Sequence, residues 1–182
     1  MTRQTAVPLP KIKAILLYLA NNTNSKYLGK VKLMKLFYFA DFLHVKKYGT
    51  PITFDSYVNL EHGPIPSAIK NLIDSAADDI ESSVLQDTIS FERPEGTKMF
   101  RVIPTRAFIE SDAKLLSDTE LDILRKVCLR FSEKTTQFVE DESHNEAPWK
   151  NTRLLDNIPY ELAAQDPDSQ FSEDELKLLS LV

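Results

Sequence analysis

Apolar residues recur with a helical period in several stretches of this chain, and Pro or Gly stands where each stretch stops. Ile12, Ile15, Leu16 and Leu19 make one stripe of a first helix opened by Pro8 and Pro10. A second, very apolar helix is expected over about 30–48, with Gly49 to end it and Pro51 to bar its continuation. "ITFDSYVNL" alternates in part and is rich in β-formers, so it reads as a short strand or extended segment. "EHGPIPS" reads as a turn in which Gly63 takes a positive φ. Pro64 or Pro66 then opens a helix to about Ser75, with Ile69, Leu72 and Ile73 inward.

"SSVLQDTISFE" and "TKMFRVIPT" flank "RPEG" as an antiparallel β-hairpin over about 84–104. Ser117 and Glu120 form a capping box for "DTELDILRKVCLRF", whose inner side is Leu121, Leu124, Val127, Cys128 and Phe131. "EKTTQFVEDES" supplies a short helix. Beyond Arg153 follow two further helix candidates, "NIPYELAAQ" and "SEDELKLLSLV". The second is capped by Ser172, with Glu175 at the third position. The pattern predicts an α+β fold, predominantly helical, around the central helix. One domain is expected over residues 1–150, with a helical extension over 151–182 that packs on the domain or contacts a partner.

The central helix carries one anomaly. On a helical wheel with Lys32 at zero, Lys35, Lys46 and Lys47 fall within about 60° of it, and Asp41 falls roughly opposite. That places a carboxylate at the centre of the apolar face, with the lysines toward solvent. His44 lies three residues on, within reach of Asp41. A buried carboxylate must be hydrogen-bonded, paired or protonated. Its candidate partners are His44, His62, His144, tyrosine hydroxyls and the backbone N–H groups of a loop.

Two readings stay open at this point. Asp41 either pins a loop to the helix or orients a histidine that acts as a base in a small hydrolase or ligand-binding enzyme. The second needs a nucleophile or metal. The chain has no GxSxG, HExxH, Walker or dinucleotide motif, and the three histidines match no local metal-ligand spacing. No cofactor or metal is implied, and a non-enzymatic role is expected. Each histidine also has a plain structural role to hand: His44 half-exposed on a helix flank, His62 capping a turn, His144 ending a helix. Trp149, the one tryptophan, reads as a core plug more readily than as a recognition anchor.

Composition adds limits. At 182 residues and 42% hydrophobic, the chain can build its own core. One cysteine forms no internal disulfide, and Cys128 on an apolar helix face reads as a small core residue. A reducing, cytoplasmic location is expected. The apolar run Ile12–Ala20 is shorter than the about 20 residues that span a bilayer and reads as a helix, not a signal or anchor. The net charge of −5 divides into +7 over residues 1–60 and −12 over 61–182. Either the two sets pair within the fold or the first forms a basic face for an acidic partner. Direct nucleic-acid binding is not expected at pI 5.3.

Residues 32–74 also resemble a known family. Lys32, Leu33, Lys35, Leu36, Tyr38, Ala40 and Asp41 are followed by His44, Tyr48, Gly49, Pro51 and Ile52, and then by Gly63, Pro64 and Ile65. Ser143, His144, Pro148 and Trp149 follow further on. In this order the motifs resemble the Panacea domain, the SocA-like or GepA-type phage-associated domain. The resemblance runs from about Pro8 to Trp149. It implies a mostly helical domain with a small antiparallel sheet. It implies an antitoxin that neutralises a cognate protein toxin by binding it, or, in the SocA branch, delivers it to a Clp-type protease. In that branch glutamine can stand at the position of Asp41, which an acceptor tolerates and a base does not. No motif marks a partner-binding surface. The amphipathic tail, with Phe171, Leu176 and Leu179 on one side, is one candidate, and the basic first third is another.

Overall fold

A computed structural model of the chain describes residues 7–182. Helix α1 (Leu9–Asn21) is followed by a 3-10 turn at Ser25–Tyr27 and by α2 (Lys30–Tyr48). Strands β1 (Tyr57–Leu60) and β2 (Gly63–Pro66) lead into α3 (Ser67–Asp78). Strands β3 (Ile89–Glu92) and β4 (Arg101–Pro104) precede α4 (Glu110–Ala113), α5 (Asp118–Phe131), α6 (Thr136–His144) and α7 (Ala147–Lys150). The chain ends with β5 (Asn157–Ile158), a 3-10 turn at Tyr160–Gln165, and α8 (Glu173–Leu179). The fold is α+β and predominantly helical.

Helix α2 is the axis. It packs against α5, α6, β2, α3 and the 3-10 turn at Tyr160–Gln165. Residues Lys32 to Phe42 are buried without a break. This corrects the helical wheel: Lys32, Lys35 and Lys46 do not face solvent and are 0%, 0% and 3% exposed. An element packed on every side has no solvent face, so its polar residues must find partners inside. Gly49 ends the helix at φ 79°, a left-handed cap that suits glycine, and its N–H donates to the Val45 carbonyl at 2.9 Å.

The sheet topology was only partly legible. β1 pairs antiparallel with β2 from Tyr57↔Pro66 to Leu60↔Gly63, and with β5 at Tyr57↔Ile158. "GPIP" is therefore a strand as well as the far side of a turn. Its two prolines fit because β2 is an edge strand, where a missing N–H breaks no ladder. The expected hairpin over 84–104 is present but shorter, pairing Ile89↔Pro104 to Glu92↔Arg101. Residues 83–88 turn instead of pairing, and the Val84 side chain is exposed.

Two capping boxes form as read, Ser117 with Glu120 and Ser172 with Glu175. On α5 the buried set includes Ile123 beside Leu124, Val127, Cys128 and Phe131, while Leu121 is only half-buried. Burial pushes the Cys128 thiol up to about 11, so it is a packed, unreactive group. The charge asymmetry resolves into pairs across the fold. Lys11 meets Glu120 at 2.5 Å, Lys13 meets Asp87 at 2.8 Å and Lys30 meets Asp74 at 2.9 Å. Among the described residues no helix is long and apolar enough to cross a membrane.

Candidate functional site

The carboxylate of Asp41 is fully buried and accepts from four donors. Oδ1 takes the backbone N–H groups of Ile52 and Thr53, both at 2.8 Å. Oδ2 takes the Thr53 hydroxyl at 2.5 Å and the Tyr57 hydroxyl at 2.6 Å. Burial raises the carboxyl to about 6, while these hydrogen bonds pull it down. Both oxygens are engaged in holding the segment that follows α2. None of the histidines is among the donors.

That segment passes the constraint on. The Thr53 hydroxyl oxygen accepts the Asp55 N–H at 3.2 Å. The Asp55 carboxylate then accepts the Ala68 N–H at 3.0 Å and the Ile69 N–H at 2.9 Å, closing the N-terminus of α3 from outside the helix. Tyr160 donates to the Asp55 carbonyl at 2.6 Å. Between the two fixed residues lies Phe54, at φ 55° and 50% exposed. An aromatic side chain in this left-handed region costs about 1–3 kcal/mol unless its surroundings impose the conformation.

Phe54 stands at one side of a groove of about 790 Å³ between α1 and α3. Val7, Leu9, Ile12, Ile69, Leu72 and Val84 line it, with Ser67, Asn71 and Ser75 among them. Its size falls in the range of ligand and peptide clefts, about 300–1,000 Å³.

The four residues expected as one buried polar cluster do not come together. His44 is buried, but its Nδ1 faces the Thr50 carbonyl at 2.5 Å and its Nε2 faces the Thr119 hydroxyl at 3.0 Å. Burial lowers its pKa, which favours the neutral ring. His62 is exposed on the β1–β2 turn and meets Glu140 at 3.2 Å. The turn has only two residues between paired strands, so its side chains point outward. The His144 ring stacks on Trp149 with centroids 3.9 Å apart. Trp149 is half-buried, not a core plug, and its indole N–H faces the Leu60 carbonyl at 3.4 Å. No group of three or more His, Cys, Asp or Glu among the described residues is placed to hold a metal ion.

The remaining motif residues act inside the fold. Lys32 donates to the Ser132 and Lys134 carbonyls at 3.2 and 2.6 Å, just past the end of α5. Lys35 ends beside Gly63. A Cβ at Gly63, which has φ 102°, would stand 2.5 Å from Lys35 Nζ and 2.8 Å from Ser143 Oγ. Lys35 Nζ has no hydrogen-bond partner among the described residues, and burial lowers its pKa to about 8. Tyr38 donates to Glu146 at 3.0 Å. Tyr48 lies exposed beside the His44 ring, at 4.9 Å between centroids. Pro51 sits between the helix end and the Asp41 clamp, and Pro64 within β2.

Lys46 joins the C-terminal segment to this core. Its ammonium meets Glu146 at 3.1 Å, Asp166 at 2.9 Å and Asp168 at 3.2 Å. Burial pulls its pKa down, but the Glu146 and Asp166 carboxylates outweigh that and hold it above the usual value. Of the tail residues considered as a partner surface, Leu176 is buried, and Phe171 and the Leu179 methyl pack against Gly49. Leu176 cannot touch a partner without leaving its place. Leu179 is nonetheless 46% exposed, and Leu178, Leu181 and Val182 are the other exposed apolar residues at this end of the chain.

Sequence reasoning missed Thr53, Phe54, Asp55 and the groove. A helix capped by a carboxylate thirteen residues upstream has no local signature. The one available signal was an aromatic set among turn-forming residues in "PITFDS". No curated protein and no solved structure matches the chain significantly. A family model described as antitoxin SocA-like, Panacea domain, matches residues 33–150. That segment covers the Asp41 clamp, Lys35 and Lys46, α3 and the His144–Trp149 stack, and begins one residue after Lys32. The match spans well over half of the chain, and the protein therefore belongs to the SocA-like antitoxin family through its Panacea domain.

Proposed function

We propose that this protein is the antitoxin of a bacterial or phage toxin–antitoxin pair and neutralises its cognate protein toxin by direct binding. The observation that carries this reading is the family match over residues 33–150. The geometry is consistent with it. The buried polar residues that could have suggested catalysis are engaged in the fold: Asp41 by four donors, His44 by Thr50 and Thr119. A binding protein needs such a scaffold and a surface, not a base. We propose a cytoplasmic location, where a toxin with an intracellular target would be met.

The test is co-expression with the product of the adjacent gene. That product alone should stop growth, and this protein should restore growth and co-purify with it in fixed stoichiometry. Restored growth with rapid loss of the toxin, dependent on a Clp-type protease, would assign the adaptor role instead. A harmless neighbour, or no rescue and no complex, would contradict the proposal.

A further inference from the structure

The groove between α1 and α3 has three properties that belong together. Its lining is mostly apolar, with Leu9 and Ile12 of α1 and Ile69 and Leu72 of α3, and with the polar Ser67, Asn71 and Ser75 among them. At its mouth stands an exposed aromatic, Phe54, in a backbone conformation that glycine or asparagine would adopt at less cost. Half of this side chain contributes nothing to the core, yet the Asp41 clamp on Ile52 and Thr53 holds it there. A strained residue whose identity the fold does not require points to a role outside the fold.

The third property is charge. The cations nearest in sequence to its lining, Lys11 and Lys13 on α1 and Lys70 on α3, are already paired with Glu120, Asp87 and Asp74. Asp78, Asp79 and Glu81 lie in sequence between Ser75 and Val84, both of which line the groove, and Asp78 is one helical turn beyond Ser75 on α3. All three are exposed and form no ion pair with a described residue. A mostly apolar trough bordered by unpaired acids at the end of α3 fits an amphipathic segment carrying Lys or Arg beside its apolar anchors.

We infer that this groove is the docking site for a cationic amphipathic helix of the protein's partner, with Phe54 as the aromatic anchor. This deepens the antitoxin reading and rests on it: the helix would belong to the toxin. Anchors of this kind dominate interface energies when seated in an apolar pocket.

The test uses the full chain and a model helical peptide of Leu and Lys, with a Leu/Glu peptide of the same pattern as control. The Leu/Lys peptide should bind and slow hydrogen exchange at residues 52–55 and in α3. The Leu/Glu peptide should bind at least tenfold more weakly. Phe54→Gly suits the local backbone, so it should fold normally while losing at least tenfold in affinity. Asp78→Lys with Glu81→Lys should weaken the Leu/Lys peptide and leave the fold intact. Equal affinity for the two peptides, unchanged binding by Phe54→Gly, or protection confined to other elements would overturn the inference. Growth rescue is a separate readout, so an antitoxin that uses another face would rescue normally as Phe54→Gly.

Discussion

The Tyr57 hydroxyl donates to Asp41 Oδ2 at 2.6 Å across sixteen residues of chain, joining the first strand to the central helix. The same carboxylate holds Ile52 and Thr53, so one side chain fixes the whole path from α2 to β1. Removing it leaves several buried donors unpaired at about 1–3 kcal/mol each. Asp41→Ala should therefore cost several kcal/mol in urea unfolding. Asp41→Asn keeps an acceptor for the two N–H groups, and the hydroxyls can turn to accept from its amide, so it should retain most of the stability. Equal midpoints for Ala and wild type would show that the clamp contributes nothing.

The raised pKa of Asp41 gives that clamp a pH signature. Its folded value of about 6 lies above the ordinary 3.8, so folding favours the protonated form. This contribution is fully present below pH 3.8 and is lost as pH rises through 6. At about 1.4 kcal/mol per unit it amounts to about 3 kcal/mol. Wild type measured against Asp41→Asn should lose stability between pH 4 and 6 and run parallel to it above. A constant difference across that range would place the folded pKa near the unfolded one.

The buried lysines make opposite predictions. Lys32 donates to two carbonyls, so Lys32→Met leaves both unpaired and should destabilise by about 1–3 kcal/mol. Lys35 has no such partner and is held near pKa 8, so its charge opposes folding. Lys35→Met should stabilise the protein at pH 7 by about 1–3 kcal/mol. Burial holds Lys32 near pKa 8 as well, so wild-type stability rises between pH 8 and 10.5 through both lysines, and Lys35→Met should remove only its own share of that rise. Thermal unfolding at pH 7 and pH 10 reads both effects.

The tail is held by charge as well as by Leu176. Asp166 receives the Ala147 N–H at 2.8 Å and faces Lys46 at 2.9 Å. Asp166→Ala should open the segment beyond Arg153 to limited proteolysis before the core is cut. Simultaneous cleavage of tail and core would show that the two unfold as one unit.

Much of this was readable from residue order. The bounds of α2, its glycine cap and the two capping boxes follow from local chemistry, which acts within a few residues. The burial of Asp41 was legible from its wheel position. The burial of Lys32, Lys35 and Lys46 was not, because a wheel assumes a solvent side that a central helix lacks. The identity of Asp41's partners was half legible: a tyrosine hydroxyl and loop N–H groups were foreseen, but the N–H groups come from Ile52 and Thr53 and not from the turn at 62–67, and the histidines named with them point elsewhere. β2 hid behind two prolines whose tolerance depends on its edge position. The Asp55 cap and the groove depend on packing between α1, α3 and a loop, and no short window of sequence carries them.

The central claim is that Asp41 shapes a binding scaffold and performs no chemistry. It is tested most directly by growth rescue with Asp41→Asn, expressed at the level of wild type, against the adjacent gene's product that we propose as the toxin. Rescue equal to wild type is expected, since the amide preserves the clamp. A folded Asp41→Asn protein that binds the toxin but fails to rescue would show that the carboxylate acts as a reactive group, and would contradict the account.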